Sequence, residues 1–177
     1  EEVFRSISAR GSFKDVLEGI DAAATAGFES KKLNVVVMRG VNDDEAPDLI
    51  RFAHERGFVP RFIELMPFGK GEGVATRTLI ERINQAGVPL LPDPSPKEEA
   101  TGPARYLVAP TGRVGFVSPI TENFCGGCNR VRVSARGELR ACLGGRSQVP
   151  LSQLIRGGAT DADLAEAIRA ALGEKQD

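Results

Sequence analysis

Residues 33–65 run LNVVVMRGVNDDEAPDLIRFAHERGFVPRFIEL, and the pattern of this stretch decides the fold class. Leu33–Met38 is a short apolar, β-branched run, which is typical of a strand buried on both faces of a parallel sheet. Asn42–Glu45 is close to a capping box and predicts the start of a helix that ends at Gly57. Arg61–Leu65 follows as a second strand. Strand, helix and strand joined by short turns predict an α/β fold, either a barrel or a doubly wound sheet.

Helices and a glycine-rich loop flank this stretch. Ser12 precedes an apolar stripe at helical spacing and predicts the N-cap of a helix over Phe13–Ala26. Two later helices are predicted over Thr78–Ala86 and Asp161–Leu172. The loop Met66–Gly73 comes directly after a strand, where active residues of α/β folds lie. It could cradle a phosphate, although a flexible connector is the simpler interpretation.

The pattern changes after Pro92–Pro96, a stiff proline-rich stretch that predicts a boundary. We therefore expect one domain over residues 1–91 and a second over residues 92–177. Two β-hairpins are predicted in the second domain, because short apolar runs flank turn residues there. Their strands are Arg105–Val108 with Val114–Ser118, and Arg130–Ser134 with Glu138–Cys142.

Composition excludes several classes of protein. The formal net charge of the 177 residues is -1, so an overall basic field for nucleic acid is absent and any anion site must be local. No apolar run reaches the roughly 18 residues of a membrane span. The chain starts at Glu1-Glu2 without an initiator Met, so we expect a piece of a longer protein. Three cysteines clustered between 125 and 142 indicate a metal site in a reducing compartment, here the cytoplasm.

The cysteine spacing is Cys125-Gly-Gly-Cys128, thirteen residues, and then Cys142. If the second hairpin turns near Ala135, Cys128 and Cys142 lie almost opposite each other, so three thiolates are expected around one centre. Three thiolates suit a [4Fe–4S] cluster with one open iron, or a zinc ion that takes a fourth ligand. Spacing alone leaves these two alternatives open. The single histidine, His54, is interpreted as a half-buried packing residue rather than that ligand.

Positive charge is concentrated beside the cysteines. The segment from residue 125 to 146 holds five arginines and one acid, a local charge of +4. Strand alternation places Arg130 and Arg132 on one face and Val131 and Val133 on the other. Paired guanidiniums beside a metal ligand suit a polyphosphate, because the planar fork binds phosphate oxygens bidentately. The arginines are Arg130, Arg132, Arg136, Arg140 and Arg146.

The motif FCGGCNRVR at residues 124–132, together with Cys142, resembles the molybdenum cofactor biosynthesis protein A family. The stretches KLNVV (32–36) with GVND (40–43) and RFIELMP (61–67) are similar to late barrel strands of the same family. Its members are radical S-adenosylmethionine lyases that act as GTP 3',8-cyclases. The resemblance implies the C-terminal part of an incomplete (β/α) TIM-like barrel, followed by a smaller α+β iron–sulfur cluster domain.

The resemblance also implies an activity, namely conversion of GTP to 3',8-cyclo-7,8-dihydroguanosine triphosphate in the first step of molybdenum cofactor (molybdopterin) biosynthesis. In the family, GTP lies between two [4Fe–4S] clusters. The N-terminal cluster cleaves S-adenosylmethionine to a radical that abstracts the ribose 3' hydrogen, and the new carbon radical attacks guanine C8. The open iron of the C-terminal cluster holds the purine.

Site residues follow from the same resemblance, position by position. Cys125, Cys128 and Cys142 are implied as ligands of the C-terminal cluster. The implied GTP contacts are Lys32, Arg130, Val131 and Arg132, the implied S-adenosylmethionine contact is Met66, and further candidates are Arg61, Glu64 and Asn34.

Two departures from the family pattern limit what this chain is expected to do alone. No cysteine precedes Cys125, so the motif of the N-terminal cluster is absent, and the chain ends Lys175-Gln176-Asp177 rather than in a Gly-Gly tail. We therefore expect inactivity without the N-terminal barrel half. The implied partners are GTP, that barrel half, the next enzyme of molybdopterin synthesis and, as an option, a second copy of the chain. The alternative function is a zinc-stabilised module that binds nucleotide or nucleic acid.

Overall fold

The structure is a computed structural model that describes residues 1–8, 10–68, 70–95, 102–122, 125, 128, 130–145 and 147–174. Predictions that involve Gly69, Pro96, Phe124, Gly126, Gly127, Asn129, Arg146 and the tail 175–177 lie outside these residues. The helices are α1 (Glu2–Ile7), α2 (Phe13–Thr25), α3 (Ala46–Glu55), α4 (Thr76–Gln85), α5 (Leu151–Arg156) and α6 (Asp161–Gly173). The strands are β1 (Lys32–Val37), β2 (Val59–Glu64), β3 (Leu91–Pro92), β4 (Arg105–Ala109), β5 (Gly112–Val117), β6 (Arg132–Val133) and β7 (Leu139–Arg140). Within the described residues, no helix has the length and apolarity needed to cross a lipid bilayer.

A five-stranded sheet with the order β1-β2-β5-β4-β3 organises the first part of the chain. β1 pairs with β2 and β2 with β5 in parallel, whereas β4 pairs with β5 and with β3 in antiparallel fashion. The α/β fold class is therefore confirmed. The first predicted hairpin is also confirmed, because β4 and β5 turn at residues 110–111.

One face of this sheet carries the core. Val37, Phe62 and Phe116 project from β1, β2 and β5 into a cluster that α3 and α4 complete with apolar side chains. The opposite face of β1 is open in the described structure, since Lys32 and its alternate neighbours along the strand are exposed. The prediction that this strand is buried on both faces is therefore wrong. The helices cover only the face that carries Val37. The buried helix residues are Ala46, Ile50, Leu79 and Ile83.

The residues predicted to form a capping box before α3 instead form hydrogen bonds within the loop that precedes the helix. The N-cap of α3 is Glu45, whose side chain makes no capping hydrogen bond. Asn42 instead accepts from the Met38 amide at 2.8 Å and donates to the Val36 carbonyl at 3.0 Å. Asp43 accepts from the Gly40 amide at 2.8 Å and pairs with a helix α4 arginine. These side chains therefore close the turn after β1 rather than the first turn of the helix.

Contacts divide the chain into two compact units, Glu1–Asn123 and Phe124–Asp177. This division lies beyond the boundary expected after residue 91, because β3, β4 and β5 join the sheet of β1 and β2. The second unit contains the hairpin β6–β7 and the helices α5 and α6. Leu139 and Ala171 belong to its small core. A capping box formed by Thr160 and Asp163 starts α6, where the sequence predicts a helix.

Candidate functional site

The open face of the sheet brings two candidate residues into direct contact. The register pairs Asn34 on β1 with Arg61 on β2, and the Arg61 Nε–H donates to Asn34 Oδ1 at 2.9 Å. Lys32 lies two residues before Asn34 and shares its face. Two cationic side chains and an amide therefore share the face of the sheet that lies opposite the core.

Met66 lies at the other end of this region, just after the carboxyl end of β2. Its side chain is half-buried, and its carbonyl accepts from the Phe68 amide at 2.8 Å. Because β1 and β2 are parallel and Lys32 pairs with Val59 at their first residues, Lys32 and Met66 lie at opposite ends of the strands. Five strand steps separate these ends, a distance of about 16 Å.

The described part of the glycine-rich loop forms backbone hydrogen bonds with the turn after β1. Gly73 forms an antiparallel bridge with Met38, and the Arg39 amide donates to the Glu72 carbonyl at 2.8 Å. The Arg39 and Glu72 side chains also pair at 2.8 Å. These backbone groups serve loop-to-loop pairing, which favours the connector interpretation over a phosphate cradle.

Glu64 projects from the last position of β2 toward the core, away from Arg61, and is only 4% exposed. One carboxylate oxygen accepts the Thr76 amide at 2.8 Å and the Thr121 hydroxyl. The other accepts the amides of Ile120 at 3.1 Å and Thr121 at 3.0 Å. Both oxygens are therefore used inside the protein, and Glu64 joins β2, the start of α4 and the loop after β5.

Hydrogen bonding lowers the pKa of the Glu64 carboxyl. Burial raises the pKa of Glu64, but the hydrogen bonds from Thr121, Thr76 and Ile120 together outweigh burial and lower the pKa below its ordinary value of 4.5. Thr76 and Thr121 carry no local sequence pattern that marks them as partners of Glu64, and neither does Ser118, which shares a hydroxyl hydrogen bond of 2.7 Å with Thr76. The available signal was a glutamate that alternates with Phe62 on the core face of β2, since buried glutamates need partners.

His54 has a structural environment in the described chain. Its Nε2 lies 2.9 Å from the Arg113 carbonyl, which only accepts, so Nε2 carries the proton. Its Nδ1 lies 2.7 Å from the Thr111 hydroxyl. The two contacts join α3 to the turn between β4 and β5 and to the start of β5, which agrees with the packing role expected from the sequence.

The three cysteines are half-buried. The Cys128 amide donates to the Cys125 carbonyl at 3.0 Å. Within the part of the chain that the structure describes, no three His, Cys, Asp or Glu side chains are arranged to hold a metal ion. The predicted convergence of three thiolates is therefore not present in this structure.

The ladder of the second hairpin is shorter than the sequence predicts. The second hairpin forms where predicted, but its ladder contains only two residue pairs, Arg132 with Arg140 and Val133 with Leu139. The described ladder does not reach the cysteines, so the opposition of Cys128 and Cys142 stays a prediction.

The register also places two arginines directly opposite each other. Arg132 and Arg140 are both exposed and share one position of the ladder. Like charges at such a position are destabilising, so an anion between them would be favourable. The valines that alternate with the arginines, Val131 and Val133, are exposed as well. Side chains on both faces of β6 are therefore exposed in the described structure.

The chain is an α/β protein that combines a mixed parallel and antiparallel sheet with an arginine-rich segment containing three cysteines. Comparisons with known sequences identify its family. The family described as Molybdenum Cofactor Synthesis C matches residues 59–177. A GTP 3',8-cyclase of Marinobacter nauticus is 44% identical over 181 residues, which cover 97% of this chain and 54% of that protein. The GTP 3',8-cyclase of Pseudomonas entomophila is 42% identical, with coverages of 97% and 53%. That of Heliobacterium modesticaldum is 41% identical, with coverages of 98% and 55%.

The chain belongs to the Molybdenum Cofactor Synthesis C family. The resemblance to the C-terminal part of the molybdenum cofactor biosynthesis protein A family, drawn from the Cys125 motif, is thereby confirmed. The chain spans about half the length of the curated relatives it matches.

We predict that Glu64→Gln destabilises the first unit by about 2–3 kcal/mol, because an amide NH2 group would face N–H donors that now meet a carboxylate oxygen. The folded state lowers the Glu64 pKa, so its stabilising contribution is present above the ordinary value and is lost as pH falls through the folded value. Urea unfolding followed by circular dichroism between pH 7 and pH 3 measures both effects.

The matched control is Glu81→Gln, an exposed glutamate on α4 that pairs with Arg77 and should change stability by less than about 0.5 kcal/mol. Equal unfolding free energies for the two variants, with parallel pH dependences, would contradict a buried structural role for Glu64.

Proposed function

We propose that this chain functions as part of a GTP 3',8-cyclase, which converts GTP with S-adenosylmethionine to 3',8-cyclo-7,8-dihydroguanosine triphosphate in molybdenum cofactor biosynthesis. The observation that carries the proposal is an identity of about 40% with cyclases over nearly all of this chain. Further support is the concentration of five arginines and three cysteines between residues 125 and 146.

Cys125, Cys128 and Cys142 are the proposed ligands of a [4Fe–4S] cluster. Three thiols suit this group chemically, and the only histidine is engaged between α3 and the β4–β5 turn. When bound, such a cluster supplies an open iron to which a purine can coordinate.

The proposed GTP contacts are those that the resemblance to the family implies. Arg130, Val131 and Arg132 contribute from the second unit, where Arg132 and Arg140 together provide a site for phosphate oxygens. Lys32 contributes from the open face of the sheet in the first unit. Met66 is the proposed contact for S-adenosylmethionine. The second [4Fe–4S] cluster belongs to the complete enzyme, together with the N-terminal barrel half, and the product passes to the next enzyme of molybdopterin synthesis.

We predict that anaerobic reconstitution with iron and sulfide loads about four irons per chain with brown absorption. Cys142→Ser should abolish most of this iron, since only two thiolates remain. Val133→Ala, an exposed change in the same hairpin, serves as the control and should load normally. One tightly bound zinc with no iron uptake would instead support the zinc-stabilised module.

We predict that Arg132→Ala weakens GTP binding to the reconstituted protein by about 1.5–3 kcal/mol, the value of a charge-assisted hydrogen bond. Arg136→Ala removes the same charge at the hairpin turn and is the matched control for the general electrostatic field. Isothermal titration calorimetry at fixed salt compares the two. Equal losses for both variants would remove Arg132 from direct contact with GTP.

We also propose that these 177 residues alone cannot start the radical reaction, because all three cysteines lie between 125 and 142 and the N-terminal cluster requires its own. Reconstituted chain incubated with GTP, S-adenosylmethionine and dithionite should release no cyclised nucleotide and no 5'-deoxyadenosine by mass spectrometry. Formation of either product would show that this proposal is wrong.

A further inference from the structure

Gly115 provides the space in which the Arg61 side chain lies. Gly115 is buried in β5 and pairs with Arg61 across the parallel ladder. A Cβ atom at this position would meet Arg61 Cγ at 2.8 Å and Tyr106 Cε1 at 3.0 Å. The first distance is shorter than non-bonded carbons tolerate, so either the arginine stem or the strand would have to move. Gly115 is not among the glycines with positive φ, which means that space rather than backbone conformation requires a glycine here.

Asn34 holds the other end of the same side chain. Its Oδ1 accepts the Arg61 Nε–H at 2.9 Å, which fixes the plane of the guanidinium group. This hydrogen bond occupies the Nε edge and leaves the end-on pair, Nη1 and Nη2, directed away from Asn34. The aliphatic stem is thus located by Gly115 and the head group by Asn34.

The partner of Arg61 is neutral, unlike the partners of most arginines in the first unit. Eight other arginines pair with carboxylates, whereas Arg61 bonds to an amide and forms no salt bridge within the described residues. An amide orients a guanidinium without neutralising its charge. Lys32 adds a second positive charge on the same face of β1. The paired arginines are Arg5, Arg39, Arg51, Arg56, Arg77, Arg82, Arg105 and Arg113.

We propose that Gly115 and Asn34 are positioning residues that hold Arg61 across the open face of the sheet and present its Nη1–Nη2 edge to an oxyanion. The ligand class is a carboxylate or a phosphate, which a guanidinium binds bidentately. The inference rests on the proposed function, since GTP carries a triphosphate and S-adenosylmethionine carries a carboxylate. A side chain already held in its binding geometry loses less conformational freedom when the anion arrives.

The first test observes the arginine itself, without any ligand. The Nε–Hε NMR signal of Arg61, assigned by its loss in Arg61→Lys, should be sharp and slow to exchange in the wild-type chain. Gly115→Ala and Asn34→Ala should broaden it or shift it to the solvent-exposed position. Gly19→Ala is the matched control, because a Cβ there meets nothing within 4 Å. An Arg61 signal that is unchanged in Gly115→Ala would overturn the positioning role of Gly115.

The second test adds anions and separates orientation from charge. GTP, inorganic triphosphate and S-adenosylmethionine are titrated into each protein, and the Arg61 signal and the dissociation constant are recorded. A response to triphosphate identifies a phosphate site, and a response to S-adenosylmethionine alone identifies a carboxylate site. Gly115→Ala and Asn34→Ala should weaken the responding ligand at least tenfold, whereas Gly19→Ala should not.

Asn34→Asp provides the sharpest comparison. A carboxylate at this position should retain the ordered Arg61 signal but neutralise the guanidinium, so anion affinity falls while orientation is kept. If none of the three anions perturbs Arg61 in the wild-type chain, the ligand assignment is overturned. The iron-loading result is independent of these spectra. If the cysteines fail to bind iron, the proposed function is contradicted. A clear Arg61 response in the same protein would still support the positioning of Arg61 and its binding of an anion.

Discussion

The buried carboxylate of Glu64 is the constraint on which the first unit depends. A charged group with 4% exposure is tolerated only when its oxygens are satisfied, and here four donors from Thr76, Ile120 and Thr121 satisfy them. Those donors come from the start of α4 and from the loop after β5, two segments that are distant in sequence from β2. One side chain therefore fixes how the chain leaves the sheet, four residues before Cys125.

Strand alternation connects this constraint with the candidate site. On β2, Phe62 and Glu64 project toward the core, so Arg61 must project to the opposite face. Because the register pairs Arg61 with both Asn34 and Gly115, the same three strands that bury the apolar cluster also orient the guanidinium. A shift of register by one residue would exchange the two faces, placing Arg61 in the core and exposing Glu64. Core packing thus preserves the arrangement of the open face.

Local sequence patterns predicted most of the elements and fewer of their partners. The helix after Ser12, the β4–β5 hairpin and the final helix follow from caps, turns and periodicity, which are local properties. Glu64 was recognised as a candidate, but its donors lie 12, 56 and 57 residues away, and no local pattern specifies them. The second hairpin shows the same limit. A hairpin ladder of two pairs is too short for composition alone to fix its register.

Charge placement separates structural arginines from those available to a ligand. Most arginines of the first unit meet a carboxylate, as expected of a chain whose formal charges nearly cancel at -1. Arg61 meets an amide instead, and Arg132 lies opposite Arg140 in the described ladder of the second unit. Neither arrangement is the one that folding stability alone would favour, because a nearby acid would satisfy each guanidinium better. Positive charge kept on a strand without an acidic partner is the local inconsistency expected where a protein binds an anion. In this chain it coincides with strand positions on the open face and beside the cysteines.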